Sequence, residues 1–192
     1  MNLPGVYKTF LDKWSSLDLQ SCWIISDTHF GDQDLKAGIE KRPIDEDFVK
    51  TINAKCGKND LLIHLGDVGD ISYIRKIKAK YKILIMGNHD AGRTNYEPYF
   101  NEIFEGPVMM GEKLILSHEP VDVPWAFNIH GHDHAGTKRK NHLNVCADVI
   151  GYTPINMNQF MKSGTLAHIE TIHRETIDKA TVRKAKRGGR KI

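Results

Sequence analysis

No stretch of this chain approaches the ~20 consecutive apolar residues that a membrane-spanning helix requires, so no membrane association is expected. Asp12 and Lys13 fall where a secretory signal would need its apolar segment, and the cytoplasm is the expected compartment. Cysteine is scarce. Cys22, Cys56 and Cys146 are isolated, odd in number and lack C-x-x-C or zinc-ribbon spacing, which excludes a disulfide framework and a thiolate zinc site. Internal repeats and Pro/Gly/Ser-rich linkers are also missing, so residues 1–178 read as one domain, with 179–192 as a basic tail. That tail holds seven basic residues and no acidic one. Because the whole chain is only +3, the rest is net negative. A solvated end is the plainer reading of the tail, and contact with nucleic acid is the alternative.

What is present is ordinary in amount and unusual in placement. The 40% hydrophobic residues match a globular protein, and they concentrate in five short runs: "CWII" (22–25), "DLLIHL" (60–65), "YKILIM" (81–86), "EKLIL" (112–116) and "AFNIH" (126–130). Each is continuous rather than alternating, as expected of strands buried on both faces. Helical segments are expected at 45–55, with Asp45 as cap, and at 70–80, where Ile71, Ile74 and Ile77 recur every three residues. "HLNVCADVIGYTPI" offers a further strand or two, "INMNQFMKS" a short helix, and the segment from Thr165 onward a final helix. The alternation implies an α/β layer structure.

The chemistry is concentrated just beyond the end of each run: Ser26-Asp27-Thr28-His29, Gly66-Asp67, Gly87-Asn88-His89-Asp90, Ser117-His118-Glu119 and Gly131-His132-Asp133-His134. In open α/β sheets the functional crevice lies beyond the carboxyl ends of the strands, so these clusters are expected to converge. Read as extended backbone, Asp27 and His29 would point the same way, as would His132 and His134. Gly66, Gly87 and Gly131 would allow sharp turns and close approach to an ion or phosphate. Asp27, Asp67, Asn88, His29, His118, His132 and His134 make seven ligand side chains, too many for one ion. They suit two ions about 3.5 to 4 Å apart if Asp67 is shared. Imidazole mixed with oxygen favours Mn, Fe, Zn, Ni or Co over Ca or Mg. His64 and His130, inside runs, read as satisfied core groups, His168 and His173 as surface residues, and His142 stays open.

The order D-x-H, G-D, G-N-H-D, H, G-H-x-H over residues 27–134 resembles the calcineurin-like metallophosphoesterases. "FG" at 30–31, "RP" at 42–43 and "H-x-N-V…Y-x-P" from His142 to Pro154 make it more similar to the small single-domain bacterial and phage members. The protein phosphatases of that superfamily carry Asp-Arg-Gly and Arg-Gly-Asn-His-Glu where this chain has Val68-Gly69-Asp70 and Met86-Gly87-Asn88-His89-Asp90, so a phosphoprotein is not the expected substrate. The resemblance implies two stacked mixed sheets flanked by helices in four layers. It implies Asp27, His29, Asp67 and His134 as ligands of one metal, and Asp67, Asn88, His118 and His132 as ligands of the other. It makes His89 a general acid facing the substrate, with Asp70 orienting it.

The expected activity is hydrolysis of phosphate mono- or diesters, diesters favoured, by a metal-bridging hydroxide, with manganese the first choice of metal. Arg42 and Arg93 are candidates to bind the substrate phosphate. Two other classes compete: a nucleic-acid-binding module or nuclease that uses the basic tail, and a metal hydrolase of C–N or C–O bonds.

Overall fold

Four parallel strands form the larger sheet because each run is short, apolar and covered on both faces. The structure, a computed structural model, describes residues 21–39, 42–170, 179 and 182. Strands β1 (Cys22–Ile25), β2 (Leu61–His64), β3 (Tyr81–Ile85) and β4 (Glu102–Phe104) pair in parallel in that order. A second sheet contains β5 (Val108–Met110), β6 (Leu114–Leu116), β7 (Phe127–His130) and β8 (His142–Asn144), with β5 antiparallel and the others parallel. Antiparallel β9 (Ile155–Asn156) returns to β1 and makes the first sheet five-stranded. The five apolar runs are thus divided between two sheets, as the family resemblance implies, rather than forming a single one.

Alternation along each strand builds two cores. Ile24, Ile63, Ile83 and Ile85 face Leu114, Leu116, Phe127 and Ile129 of the second sheet. Ile25, Leu62 and Leu84 point the other way, onto Phe48, Val49 and Ile52 of a helix and onto Ile74 and Ile77. Full burial of one such side chain stabilises by about 1.5–3 kcal/mol, and truncating Leu116 to Ala would cost about 2–5 kcal/mol because the cavity adds to the lost transfer energy.

The helices are α1 (Gln33–Gly38), α2 (Asp45–Lys55) and α3 (Met157–Lys162). Helix α2 fills the expected span, but its cap is Ile44, and Asp45 lies in its first turn, accepting from Gly31 N and from Lys36 Nζ. The 70–80 segment is a 3₁₀ helix over Ile71–Lys76, capped by Asp70, whose side chain accepts from Ser72 N. From Thr165 the chain forms only a 3₁₀ turn to His168 and is extended at Ile169, so the expected final helix does not begin there; residues 171–178, including His173, and nearly all of the basic tail lie outside the described residues. Among the described residues no helix is long and apolar enough to cross a membrane.

The sheets are joined at the carboxyl ends of their strands. Ser26 N donates to Val145 O and Ala147 N to Ser26 O, each at 3.0 Å, so the end of β1 runs beside the segment that follows β8. This seam brings the loops of both sheets to one edge.

Candidate metal centre

Each expected ligand sits in the loop immediately beyond a strand: Asp27 and His29 after β1, Asp67 after β2, Asn88 after β3, His118 after β6, and His132 and His134 after β7. The structure brings all seven together. One group joins Asp27, His29 and His134, and a second joins Asp67, His118 and His132, with Asn88 Oδ1 at 2.9 Å from His118 Nε2 and 3.1 Å from His132 Nδ1. The groups meet at a single atom. Asp67 Oδ2 lies 3.5 Å from His29 Nε2 and 3.4 Å from His118 Nε2.

The backbone reaches this arrangement by a route that strand alternation does not provide. Asp27 (φ 57°), His29 (φ 40°), Asp67 (φ 55°) and His132 (φ 64°) all occupy the left-handed region, which non-glycine residues seldom adopt and which costs on the order of 1 kcal/mol or more each. Asp27 and His29 share a group through two left-handed residues, not through an extended strand. His132 and His134 are sent to different groups.

The glycines make room for carboxylates. A Cβ on Gly87 would stand 2.2 Å from Asp67 Oδ1, and one on Gly131 would stand 2.2 Å from Asp27 Oδ2. Any side chain there would expel an aspartate.

The positions of the ring hydrogens decide whether cations fit. His118 Nδ1 lies 2.8 Å from Leu65 O, an acceptor only, so it carries the hydrogen and leaves a bare lone pair on Nε2. That lone pair faces the Asn88 and Asp67 oxygens, which are also acceptors. In the first group Asp27 Oδ1 and His29 Nε2 are buried with no partner. His134 turns Nδ1 to Asp148 Oδ2 at 2.6 Å and Nε2 to Asp27 Oδ1 at 3.6 Å. His132 Nδ1 also lies 3.2 Å from His118 Nε2, so each group gathers imidazole nitrogens and oxygens of the types that ligate cations, and the two sets fit cations. Two atoms each ~2.1 Å from an ion lie about 3.0–3.5 Å apart, close to most of these separations. Burial, opposed by Asp67 and Asp27, holds the His29 imidazole below its usual pKa, toward the neutral form a metal needs. His134 donates from Nδ1 to Asp148, and this bond raises its pKa toward the charged ring, whose Nε2 proton a cation would displace, while it fixes the orientation that aims Nε2 at Asp27.

Two positioning carboxylates were not anticipated. Asp148 also accepts from Arg42 Nη1 at 2.6 and 2.7 Å. Asp90 accepts from Asp67 N, Val68 N and Gly87 N at 3.0, 2.9 and 2.8 Å and from the Tyr96 hydroxyl, fastening the loops after β2 and β3. Asp148 follows β8, which lies in the segment expected to offer a strand or two, but the short "HLN" does not mark where that strand ends, so nothing pointed to Asp148.

The family model described as calcineurin-like phosphoesterase matches residues 21–180. The chain belongs to that family. It is a hydrolytic enzyme of the metallophosphoesterase class, whose members depend on two metal ions. A protein of unknown function, AQ665 from Aquifex aeolicus, has a similar structure, with a TM-score of 0.61, 23% identity, and coverage of 74% of this chain and 98% of its own. Nuclease MPE of Pseudomonas putida (TM-score 0.45, 21% identity, 59% of this chain and 61% of that one) and the phosphoesterase Yfce of E. coli (0.40, 16%, 71% and 81%) also match. No curated protein matches.

The other expected metallophosphoesterase residues fare differently. His89 is exposed at the site edge, its ring 5.6 Å from that of His29 and its N–H donating to Asp67 Oδ1 at 2.9 Å. Among the described residues no hydrogen bond or ion pair joins Asp70 to His89, since the Asp70 carboxylate is engaged with Ser72. Arg42, expected near substrate, has a side chain only 1% exposed, and its remaining donors go to Asp27 O and Thr28 O. It braces the first group from behind. Arg93 donates to Ile103 O and pairs with Glu97.

His64 is the satisfied core group expected, accepting from Gly66 N and bonded to the Thr28 hydroxyl. His130 is only half satisfied: its Nδ1 meets Gly131 O while Nε2 is buried without a partner. His142 bonds Asp122, and His168 is exposed.

Proposed function

We propose that this protein hydrolyses small phosphodiesters in preference to monoesters, using two divalent ions, of which manganese is the first choice, in the cytoplasm. The observation that carries this reading is Asp67 Oδ2, flanked by two imidazole nitrogens, each belonging to a separate set of histidine and carboxylate ligand atoms. Asp27, His29, His134 and Asp67 would hold one ion, and Asp67, Asn88, His118 and His132 the other. The mixed nitrogen and oxygen set, with Cys146 kept as a thiol by burial, supports Mn, Fe, Co, Ni or Zn. Bound ions would supply a water of lowered pKa and neutralise charge on the phosphoryl group.

The chain's own groups do the rest. Asp67 Oδ1 holds the backbone of His89, and its exposed imidazole, 5.6 Å from the His29 ring, would stand beside a phosphoryl group bound between the two sets without being a ligand. From there His89 donates a proton to the leaving alcohol oxygen. The diester preference is supported by open space beside the second group, where another substituent fits.

The test is metal-free protein titrated with Mn, Ni, Zn and Fe and assayed with p-nitrophenyl phosphate and bis-p-nitrophenyl phosphate. Faster diester turnover with Mn is expected. Hydrolysis of neither compound with any metal would overturn the reading, and faster monoester turnover would overturn the diester preference alone.

A further inference from the structure

A cavity of about 310 Å³ opens beside the second ligand group. Its walls come from the loop after β3, the turn between β4 and β5, and the loop after β6. Asn88 and His118 belong to its lining, so a substituent on a phosphoryl group bound at the second ligand group would have this cavity beside it. The volume lies at the lower end of the roughly 300–1,000 Å³ of ligand pockets, room for a small organic group and not for a polymer strand.

The lining also has a charge. Ile85, Met86, Pro107 and Val121 supply apolar surface, and the lining contains no lysine or arginine. Its charged members, apart from the ligand histidine, are Glu105 and Glu119, both exposed. Among the described residues neither carboxylate has a hydrogen-bond or ion-pair partner, so both are available to a ligand. Ser117 Oγ donates to Glu119 O at 2.6 Å and pins the loop that carries one of them. Two unneutralised carboxylates over an apolar wall repel a second phosphate and attract an ammonium group.

We propose that this pocket selects phosphodiesters whose second substituent is small and neutral or, better, cationic, and rejects those bearing a further phosphate. The inference rests on the phosphodiesterase reading above. Hydrolysis breaks one P–O bond; the oxygen of water joins phosphorus and its proton leaves with the alcohol.

Three p-nitrophenyl diesters test it, in which the other substituent is choline, p-nitrophenyl, or thymidine with a 3′-phosphate. With Mn-loaded protein, kcat/KM for the choline ester should exceed that for the phosphorylated thymidine ester at least tenfold. In Glu105→Gln/Glu119→Gln that ratio should fall at least fivefold. Titration calorimetry gives a second readout: phosphocholine should bind the unaltered protein more tightly than inorganic phosphate does, and the variant should lose that advantage. A ratio near one, or one unchanged by the double substitution, overturns the pocket assignment while leaving the phosphodiesterase intact. Turnover of none of the three esters overturns the phosphodiesterase reading and, with it, this one.

Discussion

The two ligand groups are built to different standards of rigidity. In the first, Asp148 holds His134 and Arg42, Arg42 clamps the carbonyls of Asp27 and Thr28, and Asp27 Oδ2 accepts from His132 N at 2.8 Å. Asp27 and His29 are buried, and so is the ion pair behind them. In the second group the shared Asp67 and His118 are buried and held, the one through Asp90 and the other at Leu65 O, but Asn88 and His132 are exposed, and among the described residues no carboxylate braces their side chains as Asp148 braces His134. Preorganised donors lose little on binding a cation, whereas exposed ones must be ordered first. The first group should therefore hold its ion tightly and the second should exchange.

The strongest challenge to that contrast is to remove what the groups share. Asp67→Asn keeps the shape and the Oδ1 acceptor for His89 but removes the charge between the two imidazoles. Metal content by mass spectrometry should fall from two ions toward none, a loss at both groups greater than the ~10–100-fold expected for an outer-shell partner. Two ions retained per chain would contradict the sharing.

His89 belongs to neither group, so His89→Gln should leave metal content at two ions and lower kcat by about 10² to 10⁴. Unchanged kcat would remove it from the chemistry. Asp148→Asn separates the groups. Without the carboxylate behind His134, affinity should drop by about 10–100-fold for one ion only, read as a split in the two calorimetric binding steps. Equal weakening of both steps would abolish the distinction between a braced and an open group.

The site was more legible in the sequence than the frame that carries it. Asp27, His29, Asp67, Asn88, His118, His132 and His134 each come after an apolar run or its turn, so linear order alone marked them. The partition of His132 from His134 was not legible from spacing, because it depends on the left-handed backbone at His132. Asp148 and Arg42 lie 106 positions apart, and an ion pair that distant leaves no local pattern. Strands β4 and β5 escaped because "EIF" and "VMM" are too short to show a period. The segment at 70–80 carried its own correction: isoleucines every three residues match the three residues per turn of a 3₁₀ helix better than the 3.6 of an α-helix.

The smallest effect concerns the ring that lies beneath both groups. His64 Nδ1 accepts from Gly66 N at 3.2 Å, and its Nε2–H donates to Thr28 Oγ1 at 2.9 Å, whose own hydrogen goes to Val68 O. The ring thereby ties the loop of Asp27 to the loop of Asp67, and the contact with Gly66 N requires it neutral, because protonated Nδ1 has no lone pair to accept with. Burial lowers its pKa from 6.5 to about 4. The unfolded chain thus takes up this proton first: the stabilisation is complete above pH 6.5, declines as pH falls toward 4, and is gone below that. Between pH 7 and 5.5 the loss is about 1 kcal/mol, or roughly 2–4 °C in Tm for a domain of this size. His64→Gln offers an amide oxygen to Gly66 and an amide hydrogen to Thr28, so it should fold at pH 7 and lose that part of the pH dependence. The measurement is Tm of the metal-free protein against pH for both forms. Parallel curves would mean that acid acts elsewhere, on the imidazoles of one group rather than on the footing common to both.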